Sequence, residues 1–515
     1  FEARFPDRCR IFCIQGKPKN RMLFRSTRGA MLDMSFEEAV FEGLAQDGGL
    51  VVPHFIPDCK DVYQSWSKLS FDELAYEIAS RYTGDEIPEA DLRRIMKRSY
   101  QTFEDPADPV PTQRVGDLAI MELFHGPTFA FKDVALQALG NLFEFFLTRK
   151  QKRITVVGAT SGDTGSAAIY GLRGKENVEC FILFPEGRVS PIQQLQMTTV
   201  NEDNVHCIAV QGTFDDCQDI VKALFNDLKF RKTYSLGAVN SINFARIMFQ
   251  ITYYFWTYFK LYPNCDGTVS FSVPTGNFGD ILAGYYAKRM GLPVGQLVVA
   301  TNTNDILDRF FKTGKYEKHK VEQTHSPSMD IGISSNFERY LFYLFDEDSK
   351  RLRAAMDLFN TTGLLEVDAR LLSRARQDFL SGMCSEAQTI ETIASYFKRT
   401  GYTLDPHTAC GVAAADQLRG AMKQEGDKHT TVVLATAHPA KFGAAVSKAT
   451  GAQPALPPGL EALKGKDTKF QVVPATVGAI RTCIETAVPD PTGSRNVYTK
   501  GHCAAAAAAG RPPRP

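Results

Sequence analysis

The stretch that decides the fold is ITVVGATSGDTGSAAIYGLRG, residues 154–174. Its first six residues, 154–159, are mostly β-branched and predict a buried strand, and residues 164–174 have the spacing of a helix. A strand that passes directly into a helix through a short glycine-rich turn is the unit from which helix-covered parallel sheets are built. The stretch therefore predicts an α/β fold.

The same alternation continues along the chain. Short apolar runs predict further strands at 180–185, 206–210, 268–275, 296–302 and 431–437. Amphipathic stretches between them predict helices at 214–230, 240–262, 279–291 and 407–424. Strands that are apolar throughout indicate parallel-sheet domains flanked by helices on both faces. Residues 35–104 differ, since their pattern is mostly helical and ends in the proline-rich run DPADPVP.

Composition excludes several classes of protein. The 515 residues carry 59 basic and 58 acidic side chains, a net charge of +1, which gives no electrostatic signature of nucleic-acid or anionic-membrane binding. No apolar run approaches the roughly 18 residues of a membrane span. The 11 cysteines are odd in number and scattered, so a reducing compartment is expected. The sequence contains no HExxH spacing, so a metal site is not predicted.

A lysine stands out in the segment ELFHGPTFAFKDVALQ, residues 122–137. Lys132 opens a predicted apolar helix. Held among Phe129, Phe131 and that helix, its amine would be desolvated, which favours the neutral form that makes a Schiff base. The alternative is a helix-start lysine that reaches solvent and pairs with Asp133. Spacing alone leaves both interpretations open.

Two glycine-rich turns follow predicted strands. The first, GATSGDTGSAA (158–168), combines hydroxyls and glycines with the free N–H groups of a helix start, which suits an anion. It lacks the Gly-Lys-Ser/Thr ending of a P-loop, so nucleotide binding is not predicted. An ordinary turn capped by Thr160 or Ser161 is the alternative. The second turn, PTGNFGD (274–280), is another candidate anion cradle.

These three features share one location in the predicted fold. Open α/β sheets bind ligands at the carboxyl ends of their strands, where all three would lie. One candidate Schiff-base lysine and two anion cradles predict a phosphorylated aldehyde cofactor and an anionic substrate. Pyridoxal 5′-phosphate has the required aldehyde and phosphate.

Longer segments resemble one family of pyridoxal phosphate enzymes. The segments ELFHGPTFAFKDVALQ, VVGATSGDTGSAAIYGLRG, GAVNSINFARI, VPTGNFGDILAGYYAKRMGLP, MDIGISSNFERYLFYL and LATAHPAKF, in this order, resemble threonine synthase of the fungal and bacterial type. STRG (26–29) and LAQDGGLVVP (44–53) resemble its N-terminal domain. The resemblance runs from Arg25 to Thr450 and implies the tryptophan synthase β-like group, fold type II.

The resemblance implies roles for the cofactor site. Lys132 would form the Schiff base and then move protons on the substrate. Thr436 would offer its hydroxyl to the pyridine nitrogen, which makes the ring a weaker electron sink than a carboxylate partner would. Without the resemblance, Thr436 would be interpreted as a cap for the helix after Pro439. The cofactor phosphate would be bound by Gly276, Asn277, Phe278, Gly279 and the adjacent Asp280.

The resemblance also implies substrate contacts. The substrate carboxylate would lie against Thr160, Ser161, Gly162, Asp163, Thr164 and Gly165. Candidates for the substrate phosphate are Ser26, Thr27, Arg28, Asn240, Ser241 and Arg246. Arginines in helices are usually solvated, which weakens the case for Arg246. His125 and His438 lie near these motifs and could move protons, but a packing or hydrogen-bonding role is the more common one for a single histidine.

The function implied is conversion of O-phospho-L-homoserine and water to L-threonine and phosphate, the last step of threonine biosynthesis. The first alternative is a threonine-synthase-like phospho-lyase that releases 2-oxobutyrate, since such relatives share the Lys132 motif. The second is a non-catalytic phosphometabolite-binding protein of the same fold. The intact lysine argues against it, because a binding protein needs no Schiff base.

The expected organisation completes the sequence-based picture. The resemblance weakens after residue 450, which leaves open whether the C-terminal segment packs normally. The expected protein is a cytoplasmic monomer or homodimer that binds no nucleic acid, membrane or metal. The predicted divisions are a basic leader outside the fold at 1–21, an N-terminal domain at 22–105, a cofactor-dependent catalytic region at 106–450, a C-terminal segment at 451–488 and a low-complexity tail at 489–515.

Overall fold

The computed structural model describes residues 21–422 and 428–491. The predicted leader, apart from Arg21, and the predicted tail, apart from 489–491, lie outside the described residues. The strands in the described ranges are β1 Phe24–Ser26, β2 Val51–Pro53, β3 Thr112–Val115, β4 Leu118–Glu122, β5 Ile154–Ala159, β6 Val178–Pro185, β7 Val205–Gln211, β8 Leu236–Gly237, β9 Thr268–Pro274, β10 Val294–Thr301, β11 Lys315–Glu317, β12 Leu364–Glu366, β13 Phe379–Met383, β14 His429–Ala435 and β15 Gln471–Pro474.

Helices occupy most of the remaining described chain. They are α1 Phe36–Glu42, α2 Phe71–Thr83, α3 Glu89–Tyr100, α4 Lys132–Lys150, α5 Asp163–Leu172, α6 Pro191–Thr198, α7 Phe214–Asn226, α8 Leu228–Thr233, α9 Phe244–Leu261, α10 Gly279–Arg289, α11 Ile306–Thr313, α12 Phe337–Leu344, α13 Ser349–Thr362, α14 Ala369–Asp378, α15 Glu386–Thr400, α16 Pro406–Gln417, α17 Arg419–Met422, α18 Gly443–Thr450, α19 Pro458–Glu461 and α20 Val477–Ala487.

Two sheets form the framework. A six-stranded sheet has the order β13-β10-β9-β14-β4-β3 and is parallel except for β3, which runs antiparallel to β4. A five-stranded, fully parallel sheet has the order β15-β7-β6-β5-β8. The predicted α/β class with parallel sheets, helices around them and a mostly helical N-terminal region is confirmed. The predicted strand at 154–159 is β5, with the same bounds.

Burial explains why these segments became strands and helices. All eight residues of β6 are buried, as a parallel strand covered on both faces requires. The helix α9 is buried at every position from 244 to 259, so it lies in the core between other elements rather than on the surface. No described helix is both long enough and apolar enough to cross a membrane.

Three of the points at which the structure corrects or extends the sequence prediction concern the two main sheets and their helices. The predicted helix at 214–230 is two helices, because the Asp227 carboxylate accepts from the Phe230 N–H and starts α8. The sequence analysis missed β4, whose five residues are all buried. The segment after residue 450 packs into the fold, since β15 extends the five-stranded sheet and Ile480 and Ile484 of α20 are fully buried.

Candidate functional site

The six-stranded sheet brings three distant segments together. In the order β9-β14-β4, the strands end respectively at the turn 274–280, at Thr436 and shortly before Lys132. The Phe131 N–H donates to the Thr436 carbonyl at 2.9 Å, which ties the lysine segment to the end of β14. The carboxyl ends of these strands therefore lie at one edge of the sheet. The turn 158–168 follows β5 of the other sheet and meets Lys132 through Asp163.

Lys132 is buried, with 7% of its surface exposed. Its Nζ lies 3.4 Å from Asp163 Oδ2, at the start of α5. Asp133 instead accepts hydrogen bonds from the N–H and the hydroxyl of Thr128, at 2.8 and 2.7 Å. The solvent-reaching lysine paired with Asp133, the alternative interpretation of the sequence, is therefore absent from this part of the structure.

The surroundings of Lys132 favour its neutral form. Burial lowers the pKa of its amine, the nearby cations Lys441 and Arg246 lower it further, and Asp163 opposes them. A lysine of this kind loses its proton more easily than a solvated one and is the better nucleophile toward an aldehyde.

A second lysine shares the same carboxylate. Lys441 Nζ lies 2.6 Å from Asp163 Oδ1 and also donates to the Thr128 carbonyl at 2.8 Å. Gln193 Nε2 donates to Asp163 Oδ1 at 2.8 Å. Although burial alone favours the protonated carboxyl, Lys441 and Lys132 hold the pKa of Asp163 far below its usual range. Lys441 was missed by the sequence analysis; a lysine within the apolar stretch LATAHPAKF was the available signal.

The turn between β9 and α10 offers unpaired backbone donors. None of five consecutive N–H groups there donates to another described residue. Free N–H groups at the start of a helix are the usual ligands of a phosphate. The five N–H groups belong to Gly276, Asn277, Phe278, Gly279 and Asp280.

Packing fixes the shape of that turn. Phe278 has φ +61° although it is not glycine, and its ring packs against Phe337 and Phe379. A non-glycine residue in this region is strained and persists only where its surroundings hold it. A Cβ on Gly276 would lie 2.8 Å from the Ser328 carbonyl oxygen, so a side chain there would displace backbone.

Asp280, the last residue of the turn, is held by two tyrosines. The Tyr253 and Tyr254 hydroxyls donate to its Oδ1 at 2.5 and 3.0 Å. Its Oδ2 is buried without a hydrogen-bond partner among the described residues. Burial raises the pKa of this carboxyl to about 6. Asp280 therefore anchors the start of α10 through its side chain, while its N–H faces the cradle.

Thr436 is a buried residue, and its hydroxyl makes no hydrogen bond to a described residue. It does not cap the following helical turn, because His438 Nδ1 accepts from the Ala440 N–H and performs that role. The Thr436 hydroxyl is therefore free for a ligand.

The two histidines near the site are occupied by protein contacts. Burial, together with the neighbouring His125, lowers the pKa of His438 to about 4, so this side chain is neutral. His125 lies between Glu122 and Glu104, each 2.8 Å from one of its ring nitrogens. Burial opposes protonation of His125, but hydrogen bonds to Glu122 and Glu104 raise its pKa overall. Both side chains have hydrogen-bonding roles.

The turn before α5 is organised by Thr160. Its hydroxyl accepts from the N–H groups of Gly162 at 3.0 Å and Gly165 at 2.8 Å, so it acts as the internal cap. Gly162 has φ +150° and its absent Cβ would lie 2.6 Å from Gln193, which explains the glycine. The N–H groups that remain without a described partner, as the binding of a carboxylate would require, are those of Ser161, Asp163 and Thr164.

The candidates for a substrate phosphate separate into two groups. The N-terminal ones are already paired: Arg28 and Thr27 both bind Glu338, at 2.9 and 2.7 Å, and the Ser26 hydroxyl donates to Asp47 at 2.7 Å. Arg28 and Thr27 connect the N-terminal region to α12, and the Ser26–Asp47 bond lies within that region, so all three side chains already have protein partners.

Arg246 belongs to the second group. It is 3% exposed, and its Nε and Nη1 are buried without a hydrogen-bond partner among the described residues. Burial lowers the pKa of the guanidinium to about 10, but the group remains charged at neutral pH. The neighbouring Ser241 hydroxyl lies 3.1 Å from that of Ser335, and Asn240 accepts from the Ile242 N–H. A buried, unpaired guanidinium requires an anion.

The residues present fit pyridoxal 5′-phosphate. Lys132 supplies a buried amine, the turn 276–280 supplies free N–H groups for a phosphate, and Thr436 supplies a hydroxyl without a partner. The unpaired charge of Arg246 lies close enough to lower the pKa of Lys132, so a second anion would lie beside the first.

Comparison with known families and proteins also indicates a pyridoxal phosphate-dependent enzyme. Family models match residues 23–100 (threonine synthase N terminus), 111–365 (pyridoxal-phosphate dependent enzyme) and 408–484 (threonine synthase, C-terminal). The threonine synthase of Schizosaccharomyces pombe is 49% identical over 508 residues, covering 92% of this chain and 96% of the relative. That of Saccharomyces cerevisiae is 52% identical over 464 residues, covering 84% and 90%.

A solved structure agrees with these relatives. The crystal structure of pyridoxal-phosphate-bound threonine synthase from Brucella melitensis has a TM-score of 0.86 and 45% identity, and covers 90% of this chain and 99% of its own. The match to the C-terminal model extends to residue 484, well beyond residue 450, where the sequence resemblance weakened. The chain therefore belongs to the threonine synthase family of fold-type II, pyridoxal phosphate-dependent enzymes.

Proposed function

We propose that the chain converts O-phospho-L-homoserine and water to L-threonine and inorganic phosphate. The observation that carries the choice of substrate is Arg246, a buried guanidinium without a partner beside Lys132. A phosphorylated amino acid supplies the missing negative charge, and its second anionic group, the carboxylate, suits the free N–H groups at the start of α5.

Each group of the site has a proposed task. The cofactor, when bound, supplies the electron sink that stabilises negative charge at the substrate Cα. Lys132 would hold the cofactor through its amine, and the same amine would take protons from the substrate Cα and Cβ and return protons to Cγ, as phosphate leaves, and to Cα, after water adds at Cβ. The N–H groups from 276 to 280 bind the cofactor phosphate, and the Thr436 hydroxyl faces the ring nitrogen.

Arg246 and the turn 161–165 act on the substrate. The guanidinium orients the γ-phosphate and stabilises the charge that develops on its oxygens as it leaves. The N–H groups of the turn hold the carboxylate, so that the substrate cannot leave before water adds at Cβ. Asp163 points its side chain toward Lys132 and Lys441 rather than into the carboxylate cradle. We therefore assign its carboxylate to positioning the two lysines.

The alternative products follow from the same intermediate. A phospho-lyase would lose phosphate in the same way but release the unsaturated product, which hydrolyses to 2-oxobutyrate and ammonia. A non-catalytic binding protein would release neither product. The relatives that match most of the chain are named threonine synthase, which favours threonine as the product.

The test is product analysis with the purified holoenzyme. We expect threonine as the major product from O-phospho-L-homoserine, with phosphate released in equal amount. Replacing Ser161 or Thr164 by alanine keeps the backbone N–H groups but removes a hydroxyl of the same turn, and it should shift the product toward 2-oxobutyrate, because the substrate carboxylate loses a neighbouring side-chain donor. Predominant 2-oxobutyrate from the unmodified protein would replace the synthase proposal with the lyase, and no turnover would favour the binding protein.

A second test addresses Arg246. Arg246→Gln removes the buried charge and should lower kcat/KM at least a hundredfold, while the absorption of the bound cofactor stays unchanged. Arg231→Gln, on the short helix α8, is the matched control and should leave kcat/KM as it is. An Arg246→Gln enzyme with normal kcat/KM would remove Arg246 from the substrate site.

A further inference from the structure

A second cavity lies outside the site described above. It has a volume of about 200 Å³ and opens between α3, α4 and the end of α5. This is far more space than an ordered water needs, and less than the roughly 300–1,000 Å³ of a site for a drug-sized ligand. Its lining is basic and polar and includes Arg98, Gln137, Asn141, Tyr170, Arg173 and Lys175.

Lys175 is the first observation that points to a ligand. It is 9% exposed, and its amine donates to Asn141 Oδ1. The carboxylate nearest to it belongs to Glu144, at 3.6 Å, and Glu144 also pairs with Arg98 at 2.5 Å. Burial lowers the pKa of Lys175, Glu144 opposes that effect, and the neighbouring Arg98 adds to it.

Gln137 is an independent observation. Its side chain is buried, with 7% exposed, and it lines the cavity. No described residue hydrogen-bonds its amide, and its Nε2 is buried without a partner. A buried amide with no protein partner is costly to retain, so a group from outside the chain is expected to satisfy it.

The charge balance sets the sign of that ligand. Arg98, Arg173 and Lys175 bring three positive charges to the cavity. The carboxylates paired with them are Glu144 and, 3.7 Å from Arg173, Glu202. Arg98 and Lys175 share the carboxylate of Glu144, so these two cations have one negative charge between them. Guanidinium and ammonium donors together are the usual partners of a phosphate group.

We propose that this cavity binds a small phosphorylated molecule, whose phosphate lies between Arg98, Arg173 and Lys175 and whose remaining polar atoms reach Gln137. The site is separate from the one at Lys132 and does not depend on the proposed reaction.

The cavity is connected to the catalytic site through two helices. α4 begins at Lys132 and α5 begins at Asp163. Their backbones touch, since a Cβ on Gly140 would lie 1.9 Å from the Gly171 carbonyl oxygen. A ligand in this cavity contacts α4 and the end of α5, the two helices that begin at Lys132 and Asp163. We expect such a ligand to stabilise the folded protein as well.

The experiment is calorimetric titration of the holoenzyme with inorganic phosphate at constant ionic strength, with chloride as the reference anion. Because phosphate also has a proposed place at Arg246, we expect two binding events in the unmodified protein. Arg173→Gln should weaken one of them at least tenfold and leave turnover of O-phospho-L-homoserine unchanged. Lys175→Met should have the same effect, and Lys232→Gln, an exposed cation on α8, should change neither event.

The outcomes separate the two sites. Loss of one event in Arg173→Gln, with the other lost in Arg246→Gln, supports the proposal. Two events that are unchanged in Arg173→Gln overturn it, even if Lys175→Met fails to fold. A single event that disappears in Arg246→Gln also overturns it. Failure of the proposed reaction would leave the event that depends on Arg173 in place, so the two proposals can fail separately.

Discussion

Replacing Asp163 by asparagine removes the carboxylate that two buried lysines share. Its oxygens lie 3.4 Å from Lys132 Nζ and 2.6 Å from Lys441 Nζ, and Gln193 also donates to it. Asparagine has the same size and can still accept from Gln193, so the change removes charge and leaves packing intact. Removing one partner of a buried ion pair costs about 3–5 kcal/mol. We expect a loss of this size in the free energy of unfolding at pH 7.

The loss should depend on pH in a definite direction. In the variant, the pKa of Lys132 falls further below its unfolded value, because Asp163, which raises it, is gone. Between the folded and the unfolded pKa, the unfolded state binds more protons, so stability rises with pH there. The difference between variant and parent should therefore shrink from pH 7 toward about pH 10, the ordinary pKa of lysine.

Urea unfolding followed by circular dichroism, with and without cofactor, measures this difference. Asp346→Asn is the matched control, since Asp346 pairs with Arg374 at 2.9 Å but is 70% exposed, and its loss should cost less than about 1 kcal/mol. The double variant Asp163→Asn, Lys441→Met should recover part of the loss, because one uncompensated charge is gone. An Asp163→Asn protein as stable as the Asp346→Asn control would refute the shared-carboxylate argument.

Three further outcomes are expected. Borohydride should attach the cofactor to the peptide that contains Lys132, and Lys132→Ala should abolish turnover; label on another lysine would contradict the assignment. Gly276→Ala should weaken cofactor retention, measured by absorption after dialysis, because its Cβ would lie 2.8 Å from the Ser328 carbonyl oxygen; normal retention would remove the turn from the site. Thr436→Val should lower kcat about tenfold or more, through loss of a hydrogen bond to the ring, and Thr436→Ser should restore it; equal rates for the two variants would argue against that hydrogen bond.

The fold was largely predictable because its buried strands are continuous apolar runs. β5 was predicted with its observed bounds, and its turn into α5 carries glycines that close packing against Thr160 and Gln193 demands. β4 was missed because five residues of mixed composition, LAIME, are not distinctive until β14 and β3 pair with them. Short strands of this kind are specified by their neighbours rather than by their own sequence.

The site was predictable in its backbone and less so in its charges. The glycine-rich turns and Lys132 have local sequence signals. The pairing of Arg28 with Glu338, 310 residues away along the chain, has no such signal, so the sequence could not show that Arg28 already has a protein partner. For Arg246 the sequence suggested a solvated side chain, because most arginines in helices are exposed. In the structure α9 is buried on all sides, and Arg246 is buried with it.

The charges of the site explain why cofactor and substrate are both anions. Lys441 and Arg246 bring two cations close to the Lys132 amine, and Asp163 contacts both lysines, whereas no described carboxylate pairs with Arg246. Replacing Arg246 by a neutral residue would remove the repulsion that it exerts on Lys132. A buried Arg246 without a protein partner lowers the stability of the unliganded protein. Binding of a phosphorylated ligand raises that stability again, because the ligand binds the folded state alone. Arg246 thus contributes both to the affinity for an anionic ligand and, together with burial and Lys441, to the low pKa of Lys132.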